Sequence, residues 1–182
     1  MFVHPWYALN VRTNSEQKVQ KALEDKGYTV FLPAYLDSRP YSDRIKKVLA
    51  ALFPGYLFCR FDALVRLPVL KTAGVLSIVS VAGEPSPIAE EQIDAIQRVV
   101  DAGLAAEPWP YLQRGDMVCI QFGALAGVEG QIVRVPGGER LVLSIHLLQR
   151  SISVEMDRSW IRPTGRRTIP LAIRANNFRT RS

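Results

Sequence analysis

The chain has 182 residues, 48% hydrophobic and 22% charged, the balance of a globular protein with room for one ordinary domain or two small ones. No apolar run approaches the roughly 18 residues a membrane span requires, and Met1-Phe2-Val3-His4-Pro5 lacks the basic-then-apolar pattern of a signal sequence, so a cytoplasmic protein away from membranes is expected. Of the 23 basic residues behind the formal charge of +6, Arg166, Arg167, Arg174, Arg179 and Arg181 follow Pro163 with no acid among them, which leaves 18 against 17 acids, or +1, over the first 162 residues.

Trp6 to Val11 reads as a first strand. Asn14 is placed to cap the helix that follows, with Gln17 at the reciprocal position. Val19, Ala22 and Leu23 form its apolar stripe and Gly27 its stop. Tyr28 to Leu32 is a second strand, and the polar stretch from Asp37 to Lys47 reads as a projecting loop or hairpin tip. Phe53-Pro54-Gly55-Tyr56 is a turn that launches a strand from Tyr56 to Phe61. Alternation puts Leu57, Cys59 and Phe61 on one face of that strand and Tyr56, Phe58 and Arg60 on the other. A small sheet needs one such face for its core, so the second must be covered by a helix or by another protein.

A short helix from Leu64 to Lys71, irregular at Pro68, precedes a strand from Val75 to Val81. Ile88 to Leu104 is the clearest amphipathic helix, with Ile93, Ile96, Val100 and Leu104 in one stripe. The order βαββαβ plus a final helix predicts a ferredoxin-like α+β sandwich. Pattern is lost across Asp101 to Tyr111, where Pro108-Trp109-Pro110 reads as a linker. Beyond it five short strands within about fifty residues predict a small SH3-like β-barrel. The expected division is 1–104 for the sandwich, 105–111 for the linker, 112–163 for the barrel and 164–182 for the basic tail. That tail suits either a nucleic-acid contact or a solubilising end.

The chemistry of catalysis is missing from the pattern. Cys59 and Cys119 stand alone in strand-like runs without a Cys-x-x-Cys spacing, and His4 and His146 have no neighbouring partner. No phosphate-binding glycine loop or His-Glu-x-x-His motif occurs. Glu90-Glu91 opens a helix, where the dipole favours acids. A binding protein is expected, with no catalytic residues, no metal and no cofactor.

Trp6-Tyr7, the Asn14 to Gly27 helix, Phe53-Pro54-Gly55-Tyr56 and Ala73-Gly74-Val75 resemble the N-terminal (NGN) domain of NusG-type transcription elongation factors. Gly115-Asp116-Met117-Val118 through Gly130-Gln131-Ile132-Val133 resembles the KOW motif that opens their C-terminal barrel. Leu52-Phe53-Pro54 and Leu57-Phe58 are similar to specialised paralogs of the RfaH and UpxY type as much as to housekeeping NusG. The resemblance implies a factor that binds the clamp helices of RNA polymerase through Phe53, Pro54, Tyr56, Phe58 and Val81 and suppresses pausing and termination. It also implies that Arg12 and Lys18 face the non-template DNA strand, and that Arg66 to Lys71 reaches the far side of the main channel. Ala73 stands where RfaH has a basic residue. Leu147-Leu148-Gln149-Arg150-Ser151 replaces the shorter, phenylalanine-bearing turn through which NusG meets a ribosomal protein or Rho. A rival reading, a KOW-containing RNA-binding or ribosome-associated protein, requires a basic barrel. The residues from 112 to 162 are close to neutral.

Overall fold

The computed structural model describes residues 4–40, 45–111, 116–136 and 138–167. Strand β1 (Trp6–Val11) is followed by helix α1 (Glu16–Glu24), β2 (Thr29–Phe31), a hairpin of β3 (Ala34–Pro40) and β4 (Ile45–Ala51), and β5 (Tyr56–Arg60). A 3-10 turn (Ala63–Val65) leads to the one-turn helix α2 (Leu67–Leu70) and β6 (Val75–Ile78). Then come β7 (Ser80–Val81), β8 (Glu84–Pro85), β9 (Pro87–Ile88) and α3 (Glu90–Asp101). The central sheet runs β2-β5-β1-β6, antiparallel at each pairing, with β9 on the early part of β1. The central elements β1-α1-β2-β5-α2-β6 follow the expected βαββαβ order, with the β3–β4 hairpin inserted and the short strands β7, β8 and β9 added before α3.

The two faces of β5 are both used. Tyr7, Leu9, Val11, Leu57, Cys59, Phe61 and Ile78 are packed with Val19 and Leu23 of α1 and Val69 of α2. The opposite face carries Trp6, Ala8, Phe53 and Phe58 against Ile93, Ile96 and Val99 of α3. Glu90 fixes the start of α3 on that face. Its carboxylate pairs with Arg60 and accepts the Trp6 indole N–H at 3.4 Å, and the Arg60 guanidinium lies 4.5 Å over the Trp6 ring.

Several local expectations are corrected. Asn14 sits in the left-handed region at φ 65°, and Ser15 holds the N-cap position without a side-chain bond. The Asn14–Gln17 capping box therefore does not form. The polar stretch after Asp37 belongs to the β3–β4 hairpin, in register from Ala34↔Ala51 to Pro40↔Ile45, while its tip, 41–44, lies outside the described residues. The expected helix from Leu64 to Lys71 divides at Arg66, because Pro68 supplies no N–H and suits only the first turn of α2. The strand expected from Val75 to Val81 stops at Ile78, and Val81 pairs instead with Glu84 in a separate ribbon.

The C-terminal part is a six-stranded antiparallel sheet ordered β10-β14-β13-β12-β11-β15. Its strands are β10 (Ala106–Trp109), β11 (Asp116–Ile120), β12 (Glu129–Val135), β13 (Gly138–Ile145), β14 (Arg150–Met156) and β15 (Ile161–Arg167). Residues 106–109, expected in the linker, are thus an edge strand, held by Arg140, which pairs with Glu107 and lies 5.6 Å over the Trp109 ring. Pro108 is tolerated because an edge strand need not donate on both sides, and Pro163 sits on the opposite edge for the same reason. Likewise 164–167, expected in the tail, continue β15. Residues 168–182 and Arg114-Gly115 of the expected motif lie outside the described residues.

Gly130 has a packing role: a Cβ there would fall 2.8 Å from Leu141 and 2.9 Å from Leu143 and the Val142 carbonyl. The sheet core is built on Val118, Ile120, Leu141, Leu143, Ile145, Ile152 and Val154, and is continuous with the α3 cluster.

Candidate functional site

The turns singled out in the sequence converge on the end of β1. Val11 donates its N–H to the Gly55 carbonyl at 2.8 Å, and Arg12 donates to the Gly74 carbonyl at 2.9 Å. Both glycines have positive φ, +80° and +94°. A Cβ on Gly74 would meet the Val19 methyl at 2.6 Å, so this turn is pressed directly onto α1. Glu16, a buried residue the sequence reading passed over, accepts the Gly55 N–H at 3.0 Å. A carboxylate at the start of a helix is a favourable place for negative charge, and here it also orders the Phe-Pro-Gly-Tyr turn.

The expected polymerase-facing residues divide by exposure. Phe53 and Phe58 are 1% and 0% exposed, with ring centroids 5.6 Å apart and an interplanar angle of 80°. They are core, packed under α3 rather than open on the surface. Pro54 is exposed, Tyr56 is half-buried at the rim of the same cluster, and Val81 is 58% exposed on the β7–β8 ribbon. Phe53, Pro54, Tyr56 and Phe58 are thus brought together, while Val81 stands on a different sheet.

The structure adds residues that the sequence reading missed. Leu36 and Leu49 face one another across the β3–β4 hairpin and are 66% and 52% exposed. They border a groove of about 340 Å³ whose walls include Tyr35, Leu52, Val99 and Leu104. The signal was the pair of leucines flanking a polar hairpin, which reads as two strand positions only once the register is known.

Arg12 and Lys18 are both exposed. Arg12 is held at the backbone by Gly74 and by Ser15, whose N–H bonds the Arg12 carbonyl at 3.0 Å, so its side chain leaves the end of β1 from a fixed base. Lys18 projects from the first turns of α1.

On its outer side α3 meets the C-terminal sheet. The Arg98 guanidinium donates to the carbonyls of Ala124 and Ala126, both at 2.8 Å, and Gln92 accepts the His146 N–H at 3.2 Å. His146 Nδ1 lies 3.1 Å from the Tyr111 hydroxyl. Burial pushes the Cys59 thiol up to about 12, the opposite of what a nucleophile needs. Among the described residues no group of three or more His, Cys, Asp or Glu is arranged to hold a metal ion, and no helix is long and apolar enough to cross a membrane.

A family model described as "Transcription termination factor nusG" matches residues 4–97. The transcription termination/antitermination protein NusG of Halalkalibacterium halodurans is 26% identical over 160 residues, covering 83% of this chain and 89% of that protein. The NusG protein of Deinococcus radiodurans is 26% identical over 191 residues, covering 86% and 97%. A solved structure titled "Domain interaction in Thermotoga maritima NusG" superposes with a TM-score of 0.52 at 21% identity, covering 88% of this chain and 97% of that one, a likeness of fold.

Proposed function

The chain belongs to the NusG family of transcription termination factors, and on that premise we propose that it is an operon-specialised member that rides on RNA polymerase and suppresses pausing and termination. The observation that carries the reading is the apolar surface around the Phe-Pro-Gly-Tyr turn. Phe53 and Phe58 support it from beneath, Pro54 and Tyr56 form its rim, and the Leu36–Leu49 groove continues it beside α3. A groove lined in this way suits the apolar stripe of a helical partner, read at i, i+3 and i+4. The partner in this proposal is the clamp-helix hairpin of the polymerase, with Val81 as a contact apart from the main seat.

A factor that binds one of two polymerase states shifts their balance by its difference in affinity. Binding across the main channel, with the segment from Arg66 to Lys71 toward its far side, favours the closed clamp over the paused form. Arg12 and Lys18 are suited to phosphate contacts on the non-template strand, because both are exposed at one end of the sandwich.

In the same reading residues 1–104 are the NGN unit and the six-stranded sheet, which begins at Ala106, is the KOW barrel, with Ala105 between them. The connection from β13 to β14, a 3-10 turn at His146–Leu148 with Gln149 at φ 49°, stands in place of the phenylalanine-bearing turn, and the missing phenylalanine counts against a contact with a ribosomal protein or Rho there. Capture of this protein by a clamp-helix fragment, together with nascent RNA sequenced with and without it, tests the proposal. Equal pausing in both samples and no capture would reject it.

A further inference from the structure

We propose that the exposed apolar face built by α2, β6 and the β7–β8 ribbon is a twofold interface through which two copies of this chain associate. Leu64, Val65 and Leu67 lie in the 3-10 turn and at the start of α2, and Leu64 is 93% exposed. Leu76 is 58% exposed on β6, the terminal strand of the central sheet among the described residues. The reason is a bulge: Val11 pairs with Val75 and Asn10 with Ser77, so Leu76 has no opposite residue on β1. A bulge re-aims the side chain it carries, and here it turns a leucine to solvent on the strand that α2 packs against. Val81 completes the face. It pairs with Glu84 across the ribbon, and the Glu84 carboxylate lies 3.6 Å from the Arg66 guanidinium, so the ribbon is tied to the base of α2.

Together these five side chains leave roughly 600 Å² of mainly apolar surface in water, as much as the largest patch of a typical monomer. Lys71, Ser77 and Ser80 are exposed beside them as a polar rim. Face and rim together approach the roughly 800 Å² per partner that a stable association buries. The charges within the face choose the partner. Arg66 and Glu84 are one cation and one anion side by side, both reaching water, with side-chain exposures of 43% and 81%. An ion pair so exposed contributes little inside one chain. A twofold axis passing between them sets each guanidinium against the carboxylate of the other copy, so the patch complements itself. Such pairs fix register, while the leucines and valines supply the buried area. With the pair balanced, the face has no excess of charge to select a nucleic acid. The inference rests on this face and is independent of the polymerase reading. Because Arg66 and Leu67 belong to both, self-association and a reach across the polymerase channel exclude one another.

Sedimentation of the full chain across a concentration series tests it, with a Kd of order 10 μM expected for an interface at the low end of the stable range. The average mass should rise from 20.4 kDa toward twice that value as the concentration passes the Kd. Leu64→Asp with Leu76→Asp, both at exposed positions, should stay folded by circular dichroism and remain monomeric throughout. Arg66→Glu and Glu84→Arg, each alone, set like charges against one another across the axis and should weaken association at least tenfold. Mixing those two variants should restore it, because each then supplies the charge the other lacks. A monomer at every concentration would overturn the proposal. So would a dimer that survives Leu64→Asp with Leu76→Asp, since the contact would then lie on another surface. Failure of the two mixed variants to associate, where the unaltered chain does, would overturn the pairing of Arg66 with Glu84 across the axis.

Discussion

Glu16 accepts the backbone amide of Gly55 at 3.0 Å, so the first turn of α1 is fastened to the Phe-Pro-Gly-Tyr turn from the far side of the sequence. The bond is buried, and an amide left without an acceptor in such a place costs about 1–3 kcal/mol. Glu16→Ala should lower the unfolding free energy by that amount. Glu16→Gln, which keeps an oxygen acceptor, should recover part of the loss. Equal stability of the two variants in urea denaturation would show that the carboxylate does not order the turn.

The division of the aromatic cluster into buried and accessible members separates stability from binding. Phe53→Ala removes a fully buried ring and should destabilise the protein by about 3–5 kcal/mol. Tyr56→Ala removes a half-buried rim residue and should leave melting within a few degrees while reducing capture by a clamp-helix fragment at least tenfold. The double variant Phe53→Ala with Tyr56→Ala is thus expected to lose stability as well as binding. Undiminished capture by folded Tyr56→Ala would remove the rim from the proposed seat.

The sequence makes the two-faced strand legible because alternation along Tyr56 to Phe61 is a local property, and the structure confirms the faces residue by residue. Which face is open is not local. Phe53 and Phe58 read as a surface for a partner, yet α3 covers them, and nothing in the period of α3 says which sheet face it will choose. The strand at Ala106–Trp109 was hidden by Pro108, a residue that argues against a central strand but is acceptable at an edge. Glu16 was hidden because its partner is 39 positions away and is a backbone amide with no side chain to signal it.

Arg98 is the most direct link between α3 and the C-terminal sheet, with two charge-assisted bonds to neighbouring carbonyls. Such bonds contribute about 1.5–3 kcal/mol each at most, and less where water reaches them. Arg98→Ala should leave each sheet folded but loosen their junction. Faster hydrogen exchange at Ala126 to Val128 than in the parent would register this. Unchanged exchange there would show that the apolar contacts of α3 hold the junction without the arginine.

Cys59 is buried beneath α1, and desolvation raises its thiol to about 12. It should resist alkylation at pH 8 in the native protein and react on unfolding, whereas the half-buried Cys119 serves as the internal comparison. The sign of the linked stability follows. The folded state holds the proton more tightly than the unfolded thiol at 9.0, so the contribution is full below pH 9 and declines as pH rises toward 12. Cys59→Ser should flatten that alkaline decline. Rapid labelling of Cys59 in the folded protein would contradict the burial on which this rests.

Arg12 and Lys18 carry the proposed nucleic-acid contact, and the chain through Arg167 holds a net charge of only +3, 20 basic residues against 17 acids. Their contribution should therefore appear inside the elongation complex rather than on free DNA. Two neutralised phosphates give a salt slope of about −1.4 on single strands, a shallow dependence. A chain ending at Arg167 retains every described strand and helix, and it should bind naked DNA weakly while still crosslinking to the non-template strand of a paused complex. Arg12→Ala should reduce that crosslink several-fold, and Lys18→Ala should do the same, with the melting temperature unchanged because both side chains are exposed. Tight binding of the shortened chain to free RNA, with a steep salt dependence, would reverse the reading and favour an RNA-binding protein of the same fold.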